Sequence, residues 1–170
     1  PIDRYMDSEN RPDDDSTFTM NMETWFALEA WKREFESALA WVEADCGTIY
    51  AEDRQLLKDY QAAIEAWADT VYDLTYLHVA KYYPPEERWG NIGTLGSSAI
   101  SRAEMEVYRK GTLFLLDTYA YAVESKYPYF FCEETREAVI EDILSGGNER
   151  LREEVEYLFP PVSQVLSDQS

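Results

Sequence analysis

The chain has 170 residues, of which 45% are hydrophobic and 15% aromatic, which suits one domain with a real core and excludes a disordered acidic chain. Its 34 Asp and Glu residues outnumber 15 Lys and Arg residues, giving a formal charge of −19. This charge repels nucleic acid phosphates and anionic lipid, and no apolar stretch approaches the roughly 18 residues of a membrane span. We therefore expect no nucleic acid partner and no membrane insertion.

The two ends of the chain are predicted to lie outside a single helical domain at residues 21–160. Residues 1–20 are polar and carry three consecutive acids at 13–15, so we expect a flexible acidic N-terminal arm. Residues 161–170 are predicted to form a polar tail after Pro160 and Pro161.

Two long helices come first, each predicted from apolar residues at helical spacing. The first spans about 24–44 and carries an apolar stripe that includes Phe35 and Val42. The second spans about 51–82 and stops before two prolines, which donate no backbone hydrogen bond. Its apolar residues recur every three and four positions, as in the seam of a helical bundle. This predicted seam comprises Leu57, Tyr60, Ile64, Trp67, Val71, Leu74 and His78. We expect Trp67 to be buried within it.

The rest of the chain is also predicted to be helical. A glycine-containing loop at 83–98 leads to a third long helix, which starts near Ser98 or Ser101 and carries an apolar stripe that includes Met105 and Leu115. Two shorter helices follow at about 133–144 and 148–158. No segment shows the alternating pattern of a strand. The predicted fold is therefore all-α, a largely antiparallel helical bundle of three long helices plus two short C-terminal helices.

The residues that most often carry chemistry show no catalytic or metal-binding pattern. His78 is the only histidine, and Thr75 stands where a Glu-x-x-His metal motif requires Glu. The glycines at 93–97 lack the Lys-Ser/Thr pair of a phosphate-binding loop. We expect His78 to be half-buried and hydrogen-bonded to a backbone carbonyl. The prediction is a non-enzymatic protein without catalytic residues, metal ligands or cofactor.

Two aromatic clusters are candidates for protein recognition, because rigid rings anchor a partner and neighbouring charges steer it. One lies around the middle loop and includes Tyr82, Tyr83 and Trp89, beside Glu86 and Glu87. The other comprises Tyr127, Tyr129, Phe130 and Phe131. Packing between helix ends is the alternative interpretation of both clusters.

Several strings in the middle of the chain follow a recognisable order. They are Phe35–Leu39, the acidic Glu52–Lys58, the stretch Tyr60–Trp67, and a later helix with Arg109, Thr112 and Leu115. Over about residues 33–120 this order resembles the LprI-type lysozyme inhibitor family of small, exported, cysteine-bearing bacterial proteins. The resemblance implies a helical fold, export and inhibition of a lysozyme.

The compartment and the thiol state are linked. The sequence begins with Pro1, which is compatible with removal of a leader, and we expect a periplasmic or secreted protein, with a cytoplasmic one as the alternative. In an exported protein Cys46 and Cys132 are candidates for a disulfide, whereas in the cytosol both are expected to be buried thiols.

The expected function is that of a non-enzymatic acidic binding or inhibitor protein that engages a cationic protein partner, such as a lysozyme-like hydrolase. Tyr83 and Trp89 are the predicted anchors, with Glu86 and Glu87 as steering charges. The alternative is a cytosolic immunity or antitoxin-like protein that neutralises a cognate toxin. An enzyme of unrecognised type and a purely structural role are the remaining hypotheses. The oligomeric state is not predicted.

Overall fold

A computed structural model of the chain describes residues 2–6, 16–45, 51–120 and 130–167. Within these ranges the structure is helical and contains no strand, which confirms the prediction of an all-α bundle. The α-helices are α1 (Thr17–Asp45), α2 (Ala51–Ala80), α3 (Arg88–Asn91), α4 (Gly93–Ala120), α5 (Glu133–Ser145), α6 (Arg152–Leu158) and α7 (Val162–Ser167). Short 3₁₀ helices span Ile2–Met6, Pro85–Glu87 and Glu149–Leu151.

Helix α1 is the central element of the fold. It packs along α4 for most of its length, and α5, α6 and the 3₁₀ helix Ile2–Met6 cover its other sides. Because it is covered from several directions, its buried residues include the consecutive run Phe26, Ala27 and Leu28. The predicted stripes of α1 and α4 are the core of the molecule, with Phe35, Val42, Met105 and Leu115 all buried.

The three long helices run up, down and up. Lys32 pairs with Glu104 at 3.2 Å, and further along Ala38 and Val42 share a cluster with Leu115, so α1 and α4 run in the same direction. Helix α2 runs antiparallel to α4 and touches α1 only slightly. The predicted antiparallel arrangement therefore holds for α2. Helices α1 and α4 are parallel neighbours, as an up-down-up order of the three long helices requires.

Helix α2 meets α4 through small residues. An added Cβ at Gly111 would lie 3.0 Å from Ile64 Cδ1, and one at Gly96 would lie 3.6 Å from Val79 Cγ2. Ile64, Ala68 and Ala80 are the residues of α2 that become buried. Such a close approach leaves no room for an indole ring at the interface. The prediction that Trp67 is buried in the seam is wrong: Trp67 is 45% exposed and Ala68 takes its place.

Both ends of the described chain pack into the core. Ile2 and Tyr5 are buried against α1, so residues 2–6 are not a flexible arm, while residues 7–15 lie outside the described part. Val162 and Val165 are buried in α7, which corrects the predicted polar tail at 161–167. Burial of two apolar side chains three residues apart holds each short segment in place.

Four predicted helix boundaries are revised. Helix α1 begins at Thr17 rather than near residue 24, because Ser16 Oγ accepts a hydrogen bond from the Thr19 N–H at 3.2 Å and caps the helix. Helix α4 begins at Gly93, before Ser98 and Ser101. The α-helix predicted from residue 148 begins at Arg152, and α2 ends at Ala80.

The C-terminal helices are joined to the core by aromatic packing and buried hydrogen bonds. The Phe26 and Phe159 rings stack with centroids 4.0 Å apart. Arg136 Nε donates to the Phe159 carbonyl at 2.7 Å, and Tyr5 Oη donates to the Pro160 carbonyl at 2.9 Å. Among the described residues, no helix combines the length and the hydropathy required to cross a bilayer.

Candidate functional site

The outward side of α2 carries an exposed apolar row. Leu56 is 66% exposed, Trp67 45%, Leu74 64% and Leu77 48%. We call the following residues the outer row: Leu56, Ala63, Trp67, Thr70, Leu74 and Leu77. At 100° per residue these six positions fall on one side of the helix. Monomeric proteins rarely leave a continuous apolar strip of this length in water, so the row is the strongest candidate for a binding surface.

The row lies beside the α2–α4 contact rather than opposite it. Ile64 and Val71 each follow a row residue by one position and pack in the cluster with Phe35 and Val107. The side of α2 that α4 covers is therefore next to the outer row. Trp67 lies on the border between them, which explains why its ring is about half covered.

Aromatic rings extend the apolar surface onto α4. Tyr60 is half-buried, and its Oη donates to the Gly111 carbonyl at 2.6 Å. Its ring stacks on Phe114 with the centroids 6.2 Å apart, and Phe114 is 63% exposed. Burial raises the pKa of Tyr60, so the hydroxyl stays neutral and keeps its role as a donor.

Carboxylates border the outer row on the side away from α4. Asp59 precedes Tyr60 and Asp73 precedes Leu74 by one position, and both are exposed, whereas the exposed Glu65 and Asp69 lie on the opposite side of the helix. The sequence has no Lys or Arg between Lys58 and Lys81. Asp59 and Glu65 accept hydrogen bonds from Gln55 and Gln61. The surface of α2 is thus apolar along one line and negative along the next.

A groove lies at the carboxyl end of the row. It has a volume of about 730 Å³ and is lined by Leu74, Thr75, Leu77, His78 and Lys81. His78 is exposed here, so the prediction of a half-buried histidine is wrong. The reason is the same as for Trp67: α2 turns Ile64 and Ala68 toward α4, which leaves His78 outside the contact.

The loop residues predicted as a partner site lie just beyond this groove. Tyr83 is 39% exposed, and Glu86 and Glu87 are exposed in the 3₁₀ helix Pro85–Glu87. Arg88 Nε donates to the Tyr83 carbonyl at 3.2 Å, which folds the loop back on itself. Trp89 lies in α3, but its side chain is outside the part that the structure describes. The backbone therefore brings the predicted site residues together in one short segment.

The two aromatic clusters differ in their exposure to solvent. In the first cluster Tyr82 is 84% exposed, with Lys81 Nζ 5.1 Å from its ring centroid, and Tyr83 is also exposed. In the second cluster Phe131 is buried and Phe130 packs on Trp41, with ring centroids 6.3 Å apart. Tyr127 and Tyr129 lie outside the described residues.

The structure describes one of the two cysteines. Cys132 is exposed, so the expectation of a buried thiol in a cytosolic protein is wrong for this residue, and its Sγ lies 3.4 Å from Thr135 Oγ1. Cys46 lies outside the described residues, so the pairing with Cys132 stays a prediction. Within the described ranges, no group of three or more His, Cys, Asp or Glu side chains is arranged to hold a metal ion.

Sequence reasoning missed the outer row because it assigned Trp67 and Leu74 to the buried seam. A signal was present: Leu56, Tyr60, Ala63, Trp67, Thr70, Leu74 and Leu77 are spaced alternately four and three apart. Helix α2 thus carries two overlapping heptad patterns, and only one of them can face α4.

Comparison with protein-family models, with curated proteins and with solved structures gives no match for this chain. The resemblance to the LprI-type lysozyme inhibitor family therefore stays an expectation that rests on the sequence strings alone.

Proposed function

We propose that this chain is a non-enzymatic acidic binding protein that engages a cationic protein partner. The observation that carries the proposal is the pairing on α2 of an exposed apolar row with a border of exposed carboxylates. Apolar side chains supply the area that is buried on binding, and the charges steer a partner of opposite sign. The formal charge of −19 extends this attraction over the whole molecule.

A lysozyme-like hydrolase is the partner to test first. Such hydrolases are typically basic and match the negative surface, and the sequence strings at about 33–120 resemble a family of lysozyme inhibitors. Under this proposal the protein is exported to the periplasm or secreted, and it acts by occupying the hydrolase rather than by chemistry of its own.

The loop beyond the groove supports the same proposal. Tyr83 offers a partly exposed ring, and Glu86 and Glu87 place two exposed carboxylates in one turn. In this proposal Tyr83 and Trp89 are anchors, and the two glutamates accelerate association. Exposed charges at the rim of an interface mainly change the association rate and its salt dependence.

The test is binding to a basic lysozyme at about 20 mM and about 300 mM salt, with lysis of bacterial cell walls measured in parallel. We expect a complex and inhibited lysis at low salt, and weaker association at high salt because the charges are screened. Glu86→Gln with Glu87→Gln should slow association several-fold. The matched control is Glu153→Gln with Glu154→Gln, an exposed acidic pair on α6. Absence of a complex together with undiminished lysis contradicts the lysozyme proposal.

A second candidate function keeps the exposed Cys132 as a free thiol, since free thiols persist in reducing compartments. This candidate is a cytosolic immunity or antitoxin-like protein that neutralises a cognate toxin. Intact mass before and after alkylation separates the two. Two alkylated cysteines in protein from its native compartment support the cytosolic function, and an unreactive Cys46–Cys132 pair supports the exported one.

A further inference from the structure

The spacing of the exposed face of α2 specifies the shape of its partner. Including the half-buried Tyr60, the apolar face alternates in steps of four and three from Leu56 to Leu77. This spacing is typical of a helix that packs along a second helix, as in a coiled coil. The face spans 21 residue steps, or about 32 Å at 1.5 Å per residue. It is thus three heptads long.

The two borders of this face specify the charge of the partner. On one side lies α4 with the exposed ring of Phe114, and on the other lie Asp59 and Asp73. In the heptad, these aspartates occupy the positions that form ion pairs across two packed helices. A partner helix therefore needs Lys or Arg on the facing border.

A second copy of this chain does not meet that need. Pairing α2 with itself would bring together two faces that each carry Asp59 and Asp73 on the border and no Lys or Arg between these two residues. Like charges on the borders of a helical pair oppose its formation. The charge pattern instead complements a basic amphipathic helix.

We propose that the outer row of α2 binds a single basic amphipathic α-helix of a partner protein, which packs along α2 as an additional helix of the bundle. The inference rests on the proposed function and deepens it by naming the structural element that is recognised. Trp67, near the middle of the row, is the main anchor, and Leu74 and Leu77 fix the end of the partner helix at the groove. Ala63 and Thr70, on either side of Trp67, leave space for large partner side chains.

The probe is a fluorescent 21-residue peptide with Leu at heptad positions a and d and Lys at e and g. The lysines also prevent the peptide from pairing with itself. A shuffled peptide of the same composition, in which the leucines share no face, is the control. We expect the full chain to bind the patterned peptide at low salt, measured by fluorescence anisotropy, and to bind the shuffled peptide at least about tenfold more weakly.

Variants of the chain locate the peptide. Trp67→Gln and Leu74→Gln should each weaken binding about tenfold. Their matched control is Tyr157→Gln, since Tyr157 is a 71% exposed aromatic on α6 and its replacement should leave binding unchanged. Asp59→Asn with Asp73→Asn should reduce the salt dependence, unlike Glu153→Gln with Glu154→Gln. Circular dichroism checks that each variant keeps its helices.

The inference is overturned by equal binding of both peptides, by an equal loss with Tyr157→Gln, or by a dimer in sedimentation that Trp67→Gln abolishes. The last would make a second copy the occupant. A lysozyme complex that persists in Trp67→Gln, with no peptide binding, overturns the helix inference and leaves the proposed function intact. Peptide binding without a lysozyme complex supports the inference and removes lysozyme as the partner.

Discussion

Helices α1 and α2 have nearly the same length, 29 and 30 residues, yet they are covered very differently. Helix α1 is packed against α4, α5, α6 and the N-terminal 3₁₀ helix, whereas α2 packs mainly against α4. Only three residues of α2 are buried, and its outer row faces solvent. Apolar spacing alone does not decide burial; the number of neighbouring helices does. Helix α1 therefore forms the centre of the core, whereas α2 contributes an exposed apolar surface.

The largest effect should come from a large-to-small substitution in the α1 core. Phe159 is fully buried and stacks on Phe26. Phe159→Ala should lower the free energy of unfolding by about 3–5 kcal/mol, because it leaves a cavity in the core. Trp67→Ala on α2, although it removes a larger ring, should cost about 1 kcal/mol or less. Urea unfolding followed by circular dichroism measures both, and equal losses would contradict the division between the two helices.

A medium effect should come from separating α2 from α4. An added Cβ at Gly111 already lies 3.0 Å from Ile64, so Gly111→Leu forces the helices apart. We expect the free energy of unfolding to fall by about 1–3 kcal/mol. Gly90→Leu is the control, because no atom lies within 4 Å of a Cβ added there. A Gly111→Leu variant as stable as Gly90→Leu would mean that the α2–α4 contact is looser than the structure shows.

The smallest effect concerns a buried acid within α1. Glu34 is 1% exposed; its Oε1 accepts the Phe130 N–H at 3.0 Å, while its Oε2 is buried without a hydrogen-bond partner among the described residues. Burial raises the pKa of the carboxyl, although the Phe130 N–H opposes the shift. The folded state therefore favours the protonated form. This contribution to stability is present below the ordinary glutamate pKa and is lost as pH rises through the raised folded value.

Glu34→Gln should therefore raise the free energy of unfolding at pH 7 by about 1 kcal/mol, since a neutral amide replaces a buried charge. Near pH 4 the variant and the wild type should differ little. Urea unfolding at pH 4, 5.5 and 7 measures the trend, with Glu36→Gln, an exposed neighbour on α1, as the control. A difference that stays constant with pH would show that Glu34 is not the group responsible.

The sequence was sufficient for the parts of the fold whose pattern is long and whose neighbours surround them. The stripes that include Phe35 and Val42 on α1, and Met105 and Leu115 on α4, were predicted and are buried. The short end segments were missed because two apolar residues, such as Val162 and Val165, are too few to define a period.

The candidate site was predicted only in part, for a physical reason. Tyr83, Glu86 and Glu87 were predicted from the sequence and are exposed in one segment. The outer row was assigned to the core, because α2 has two heptad patterns rotated by less than a quarter turn. The choice between them depends on Gly111, which lies more than 40 residues away on another helix. No local pattern around Trp67 contains that information.

The contacts between the two ends of the described chain also govern how the molecule forms. Arg4 Nη1 donates to the Val165 carbonyl across 161 residues, and Tyr5 Oη reaches Pro160. During synthesis, the pocket around Phe26 cannot close until the segment near Val165 has left the ribosome. The contact between Tyr5 and Pro160 therefore forms only after the 155 residue steps between them have been synthesised, so closure of this aromatic interior is a long-range step.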